Sequence, residues 1–106
     1  MDTNDRLQAL LKMLEEEPDD AFCLYGIAQE YGNSGSHDLA IDFYDRAIAA
    51  DETHAYAYFH KARSLEELDR IDDAIVCIKA GLKCAQTHGD SHAASELQGF
   101  LDELGG

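Results

Sequence analysis

Cys84, His88 and His92 follow one another at four-residue intervals with Glu96 next. On one unbroken helix that spacing would stack four metal-capable groups along a single face. Gly89 lies inside the run and Asp90 or Ser91 can start a new helix just after it, so the groups are expected to diverge and hold no metal. Cys84 then reads as a core thiol near the end of its helix. Carboxylate pairs are the other candidate chemistry. Glu15-Glu16-Glu17 and Glu66-Glu67 are runs on exposed helix ends, whereas acid–base catalysis needs two groups facing each other across a cleft that separates their pKa values. The sequence has no glycine-rich loop between strand and helix, no strand pattern and no nucleophile elbow. It is expected to be no enzyme and to use no cofactor.

A second constellation is aromatic. Phe22 and Tyr56 stand 34 residues apart, as do Tyr25 and Phe59, and Gln29 and Arg63 keep the same interval. The elements that position them show the same period. The stretch from Ala21 to Glu52, shifted by 34, places Ala28 on Ala62, Tyr31 on Leu65, Ala40-Ile41 on Ala74-Ile75, Tyr44 on Ile78 and Ile48 on Leu82. A period in this range means a stacked helical array. At about 100° per residue, Leu24, Ala28 and Tyr31 form an inward stripe on one helix, and Tyr58, Ala62 and Leu65 form its counterpart. Phe22, Gly26, Gln29 and Asn33 then point away, as do Tyr56, His60, Arg63 and Glu67, with Tyr25 and Phe59 on the flanks.

These small and apolar positions resemble the tetratricopeptide repeat (TPR), a helix-turn-helix of 34 residues with small residues where two helices cross, in proteins of the small bacterial type. The resemblance implies an all-α fold of antiparallel helix-turn-helix repeats stacked as a short right-handed α-solenoid, about six helices in all. It also implies that the first-helix face lines a concave groove where extended or helical partner segments dock. Phe22, Tyr25, Tyr56 and Phe59 would floor that groove, and Gln29, His60, Arg63 and Glu67 would line it with polar groups. A second aromatic face forfeits roughly 25 cal/mol per Å² that burial would return, so its repetition asks for a reason. Partner binding is one reason; packing of the rings on neighbouring helices is the other. The carboxylate-gripping clamp known in this family is missing, because Tyr25 and Gln29 stand where it needs lysine and asparagine, and His60 where it needs a second asparagine. His60 is also a candidate for pH-sensitive binding.

The chain reads as a single domain, 1–106. A half-repeat helix over 4–17 carries Leu7, Leu10, Leu11 and Leu14, with Thr3 or Asn4 as its cap and Met13 under Ala47 of the next unit. Two full repeats follow at 21–54 and 55–88, with Asp19-Asp20 and Thr53 as helix starts and Gly32-Asn33-Ser34-Gly35 and Asp69-Arg70 as turns. A capping helix over 90–104 ends the array, offset by one residue from a third repeat. In the second helix of the first repeat, Leu39, Ile41, Phe43, Tyr44, Ala47 and Ile48 form the apolar set. Gly81 replaces the expected alanine and keeps the helix crossing close, at roughly 1 kcal/mol of helix propensity.

Charge narrows the partners. With 8 Lys+Arg against 22 Asp+Glu the net charge is −14, which repels nucleic acid and anionic lipid. Asp38, Asp42, Asp45, Asp69, Asp72 and Asp73 read as a solvated face that steers a basic protein at most. Three cysteines without paired spacing fit reduced structural thiols and a cytoplasmic location. No apolar run approaches the roughly 20 residues of a membrane helix, and MDTNDR is the wrong start for a signal peptide. The function expected is a protein-interaction module or adaptor taking a basic or apolar segment of a partner protein, without nucleic acid or membrane. The alternative is a structural scaffold, a homodimer or larger homo-oligomer whose groove is filled by another copy.

Overall fold

The computed structural model describes residues 3–106, with side chains from residue 5 onward. It contains six helices: α1 (Thr3–Glu16), α2 (Ala21–Asn33), α3 (His37–Ala50), α4 (Ala55–Glu67), α5 (Ile71–Thr87) and α6 (Ser91–Leu104). The expected cap at Thr3 or Asn4 falls outside the described side chains. Each helix packs antiparallel on the next, and α4 also touches α2 and α6 along one side, which makes an all-α helical repeat solenoid.

Turn chemistry sets the repeat. In the α2–α3, α4–α5 and α5–α6 turns an amide reaches back five residues: Ser36 N–H donates to the Tyr31 carbonyl (2.9 Å), Arg70 to Leu65 (2.9 Å) and Asp90 to Ala85 (2.8 Å). This closure needs one left-handed residue per turn, supplied by Gly35 (φ 88°), Asp69 (φ 59°) and Gly89 (φ 71°). Aspartate tolerates that region better than most side chains, so Asp69 does glycine's work at the matching place in the second repeat. Asp20 accepts from the Cys23 amide at 3.2 Å and Asp90 from Ala93 at 3.0 Å, so both cap their helices.

Thr53 is not a cap. His54 occupies the position before α4 and makes no side-chain cap bond, while the Thr53 amide and hydroxyl both donate to Asp51 (3.0 and 2.6 Å). Asp51 competes for the group that capping would have used, and those bonds hold its carboxyl below the usual range.

The core is layered between helices. Ala28, Ala40, Ala47, Ala62, Ala74 and Ala85 are fully buried at the crossings, where a larger side chain would push two backbones apart. Gly81 is the tightest crossing: a Cβ there would lie 2.7 Å from Tyr58 Cβ and 3.2 Å from Leu97 Cδ2. Glycine is thus required, and the expected alanine would clash. Two inward assignments need correction: Met13 is 52% exposed and Leu39 45% exposed. Tyr31 and Tyr58 are half-buried and pack against the core. Each buried cysteine thiol donates to a backbone carbonyl: Cys23 to Leu10 (3.0 Å), Cys77 to Tyr58 (3.2 Å) and Cys84 to Glu52 (3.0 Å). Burial raises all three pKa values, that of Cys77 to about 11.

Candidate functional site

Side by side, α2, α4 and α6 present a face made mostly of rings. At the α2–α4 seam, Tyr25 lies 4.4 Å from His54, 5.8 Å from His60 and 5.9 Å from Tyr44 between ring centroids. Gln29 Nε2 donates to the Tyr25 hydroxyl at 3.3 Å, and the His60 ring lies nearly parallel to Tyr44 at 6.3 Å. Burial pushes the Tyr25 hydroxyl up to about 12. Burial likewise lowers His54 below its ordinary 6.5 against the opposing pull of Asp51. It lowers His60 too, with Arg63 and His54 adding to the effect. Both imidazoles are therefore neutral at pH 7.

The α4–α6 seam is built differently. Phe59 meets Phe100 at 5.3 Å, Tyr56 meets His92 at 6.3 Å, and the Arg63 guanidinium lies 5.3 Å from the Phe59 ring and 5.1 Å from the Phe100 ring. Beside them is an open hollow of about 310 Å³ lined by Phe59, Arg63, Glu96, Gly99, Phe100 and Glu103. Gly99 keeps one wall low, since a Cβ there would meet nothing within 4 Å.

Of the eight residues expected at the groove, Tyr25, Gln29, Tyr56, Phe59, His60 and Arg63 lie together at these two seams. Phe22 is 74% exposed and joins none of the ring pairs, and Glu67 is exposed at the end of α4. Gly26, expected to point outward, is buried under α1: a Cβ there would lie 3.3 Å from a Leu10 methyl. The opening helix therefore covers the start of this face. Sequence reasoning missed His54, His92, Glu96, Gly99, Phe100 and Glu103 as residues of this face. The signal was available on α6, where His92, Glu96, Gly99 and Glu103 recur at helical spacing beside the core stripe.

The chain's metal-capable run is split by the turn at Gly89. Cys84 bonds the Glu52 carbonyl, His88 Nδ1 lies 2.9 Å from the Cys84 carbonyl oxygen, and His92 pairs with Glu96 at 3.5 Å on the next helix. Larger hollows, about 340 and 450 Å³, lie on the opposite side between α3 and α5 and share Asp45 and Tyr58 in their linings. In the first of them Lys61 pairs with Asp45 at 2.6 Å and Arg70 with Asp73 at 2.9 Å, while Lys83 and Glu52 line the second. The ring-lined face has its cation on aromatic surface instead. No described helix is long and apolar enough to cross a membrane.

Repeated helix hairpins with small residues at their crossings are the architecture of a tetratricopeptide repeat protein. Residues 5–81 match the family model described as anaphase-promoting complex, cyclosome, subunit 3, and the chain belongs to that family of repeats. A TPR repeat-containing protein of Pseudomonas aeruginosa is 26% identical over 98 residues, covering 92% of this chain and 93% of the relative. The solution structure of a tetratricopeptide repeat domain protein from Salinibacter ruber is 30% identical with a TM-score of 0.76, over 83% of this chain and 89% of that one. The TPR2B domain of yeast Sti1, solved as a complex with pHsp70, superposes with a TM-score of 0.91 at 19% identity, over 97% of this chain and 82% of that one.

Proposed function

We propose that this protein is a non-catalytic interaction module that binds a segment of a partner protein along the face formed by α2, α4 and α6. The observation that carries this reading is the recurrence of half-buried rings on this face, Tyr56 and Phe59 at the α4–α6 seam with Tyr25 at the seam beside it. Rings held in place by their neighbours lose little conformational freedom on binding, which favours them as anchors. The yeast structural neighbour, solved with a bound partner, supports the use of such a fold for binding. The organisation we propose is two full repeats at 21–54 and 55–88 between a half-repeat and a capping helix, acting in the cytoplasm on protein and not on nucleic acid or membrane.

Peptides selected from a random display library on the wild-type protein should shift the amide resonances of Tyr56, Phe59 and Phe100. Their binding should be lost in a Tyr56→Ala/Phe59→Ala variant whose circular dichroism is unchanged. Selected peptides that leave those resonances unmoved would refute the groove. A second reading, self-association, is favoured by the exposure of Phe22. It requires a dimer in light scattering that dissociates on Phe22→Ala, whereas a net charge of −14 on each copy predicts a monomer.

A further inference from the structure

Phe59 and Phe100 meet at 5.3 Å with an interplanar angle of 55°, and both line the hollow between α4 and α6. Arg63 lines it with them, its guanidinium close enough to both ring centroids for a cation–ring contact. Two carboxylates, Glu96 and Glu103, line the same hollow. Arg63 pairs with neither: among the described residues the ion pairs are Arg6–Glu30, Lys61–Asp45, Arg70–Asp73 and His92–Glu96. Its side chain is exposed, and ring contacts alone hold it.

We propose that this hollow is the pocket for a cationic side chain, arginine or lysine, of the partner segment, and that Arg63 stands in for that side chain in the free protein. The inference rests on the groove reading above and names the chemistry of its occupant. An incoming guanidinium finds two ring faces already set for a cation, the carboxylate of Glu103, which joins no described ion pair, and that of Glu96, whose ion-pair partner is the exposed His92. Arg63 loses only exposed contacts when it swings into solvent. A carboxylate occupant would meet two like charges, Glu96 and Glu103, in the same lining. The net charge of −14 draws a basic segment toward this face at long range.

The test uses the intact chain with N-acetyl-arginine amide as probe and N-acetyl-glutamate amide as control, followed by amide chemical shifts at Phe59, Gly99 and Phe100. The arginine probe should give saturable shifts that tighten about two- to fivefold in Arg63→Ala, the size of one exposed cation–ring contact. They should weaken in Glu96→Gln/Glu103→Gln, whose substitutions are both at exposed positions. Unchanged or weaker arginine binding in Arg63→Ala, or a preference for the glutamate probe, would overturn the proposal. The groove reading is scored separately: display-selected peptides that bind the Tyr56–Phe59 face but lose affinity in Arg63→Ala leave the groove standing and remove the displaceable cation.

Discussion

Tyr25 and Phe59 occupy the same slot in successive repeats, yet Tyr25 is hemmed in by His54, His60 and Tyr44 while Phe59 faces Phe100 and an open hollow. The helix on the far side of each seam makes the difference. His60 of α4 and His54 just before it fill the first seam with imidazoles, while α6 offers the second a glycine and two carboxylates. A repeat position therefore fixes where a side chain points, and the following helix decides whether it becomes packing or binding surface.

The comparison can be broken most severely from the α6 side. Leu97 is fully buried, and Leu97→Ala should cost about 2–5 kcal/mol in urea unfolding. If the hollow depends on α6 docking, that variant also loses the Phe59–Phe100 contact while the Tyr25 seam keeps its nuclear Overhauser effects. Equal loss at both seams would mean the array opens as one unit.

Gly81→Ala comes next. Helix propensity alone favours alanine by about 1 kcal/mol, but the added methyl meets Tyr58 Cβ at 2.7 Å. Overpacking of that kind costs about 1–3 kcal/mol, so the net change should be destabilising. A rise in the urea midpoint would show that α4 and α5 can separate freely. Alanine is accommodated at the matching position of the first repeat, where Ala47 is fully buried.

The smallest effect separates the seams by pH. His54 and His60 have depressed folded pKa values, so the unfolded chain takes up protons as pH falls through about 6.5 before the folded chain does. Their contribution to stability is complete above that pH and declines below it. Double replacement by glutamine should flatten the slope of stability below about pH 6.5, and an unchanged slope would place the titration elsewhere. Asp51, whose folded pKa is depressed from 3.8, acts only at lower pH.

The fold was legible because alanine and glycine at helix crossings leave a period that survives the divergence of everything around them. Ala28 with Ala62 and Ala40 with Ala74 were enough to set the register, and each lies fully buried as that register requires. The site was legible only within a helix. Periodicity shows that Phe59 and Arg63 share a face, but not that Phe100 rises to meet both, because that depends on how α6 docks after a one-residue offset. Gly26 misled for the same reason: its own helix points it outward, and α1 then covers it. Thr53 misled because a side chain two residues back took its amide and hydroxyl.

The three thiols turn the array into its own strain gauge. Cys23 closes α1 against α2, Cys77 closes α5 against α4, and Cys84 ties α5 to the α3–α4 connection. An alkylating reagent attacks only a thiolate exposed by opening. The order in which the three are labelled would thus show from which end the stack unravels, with no residue replaced.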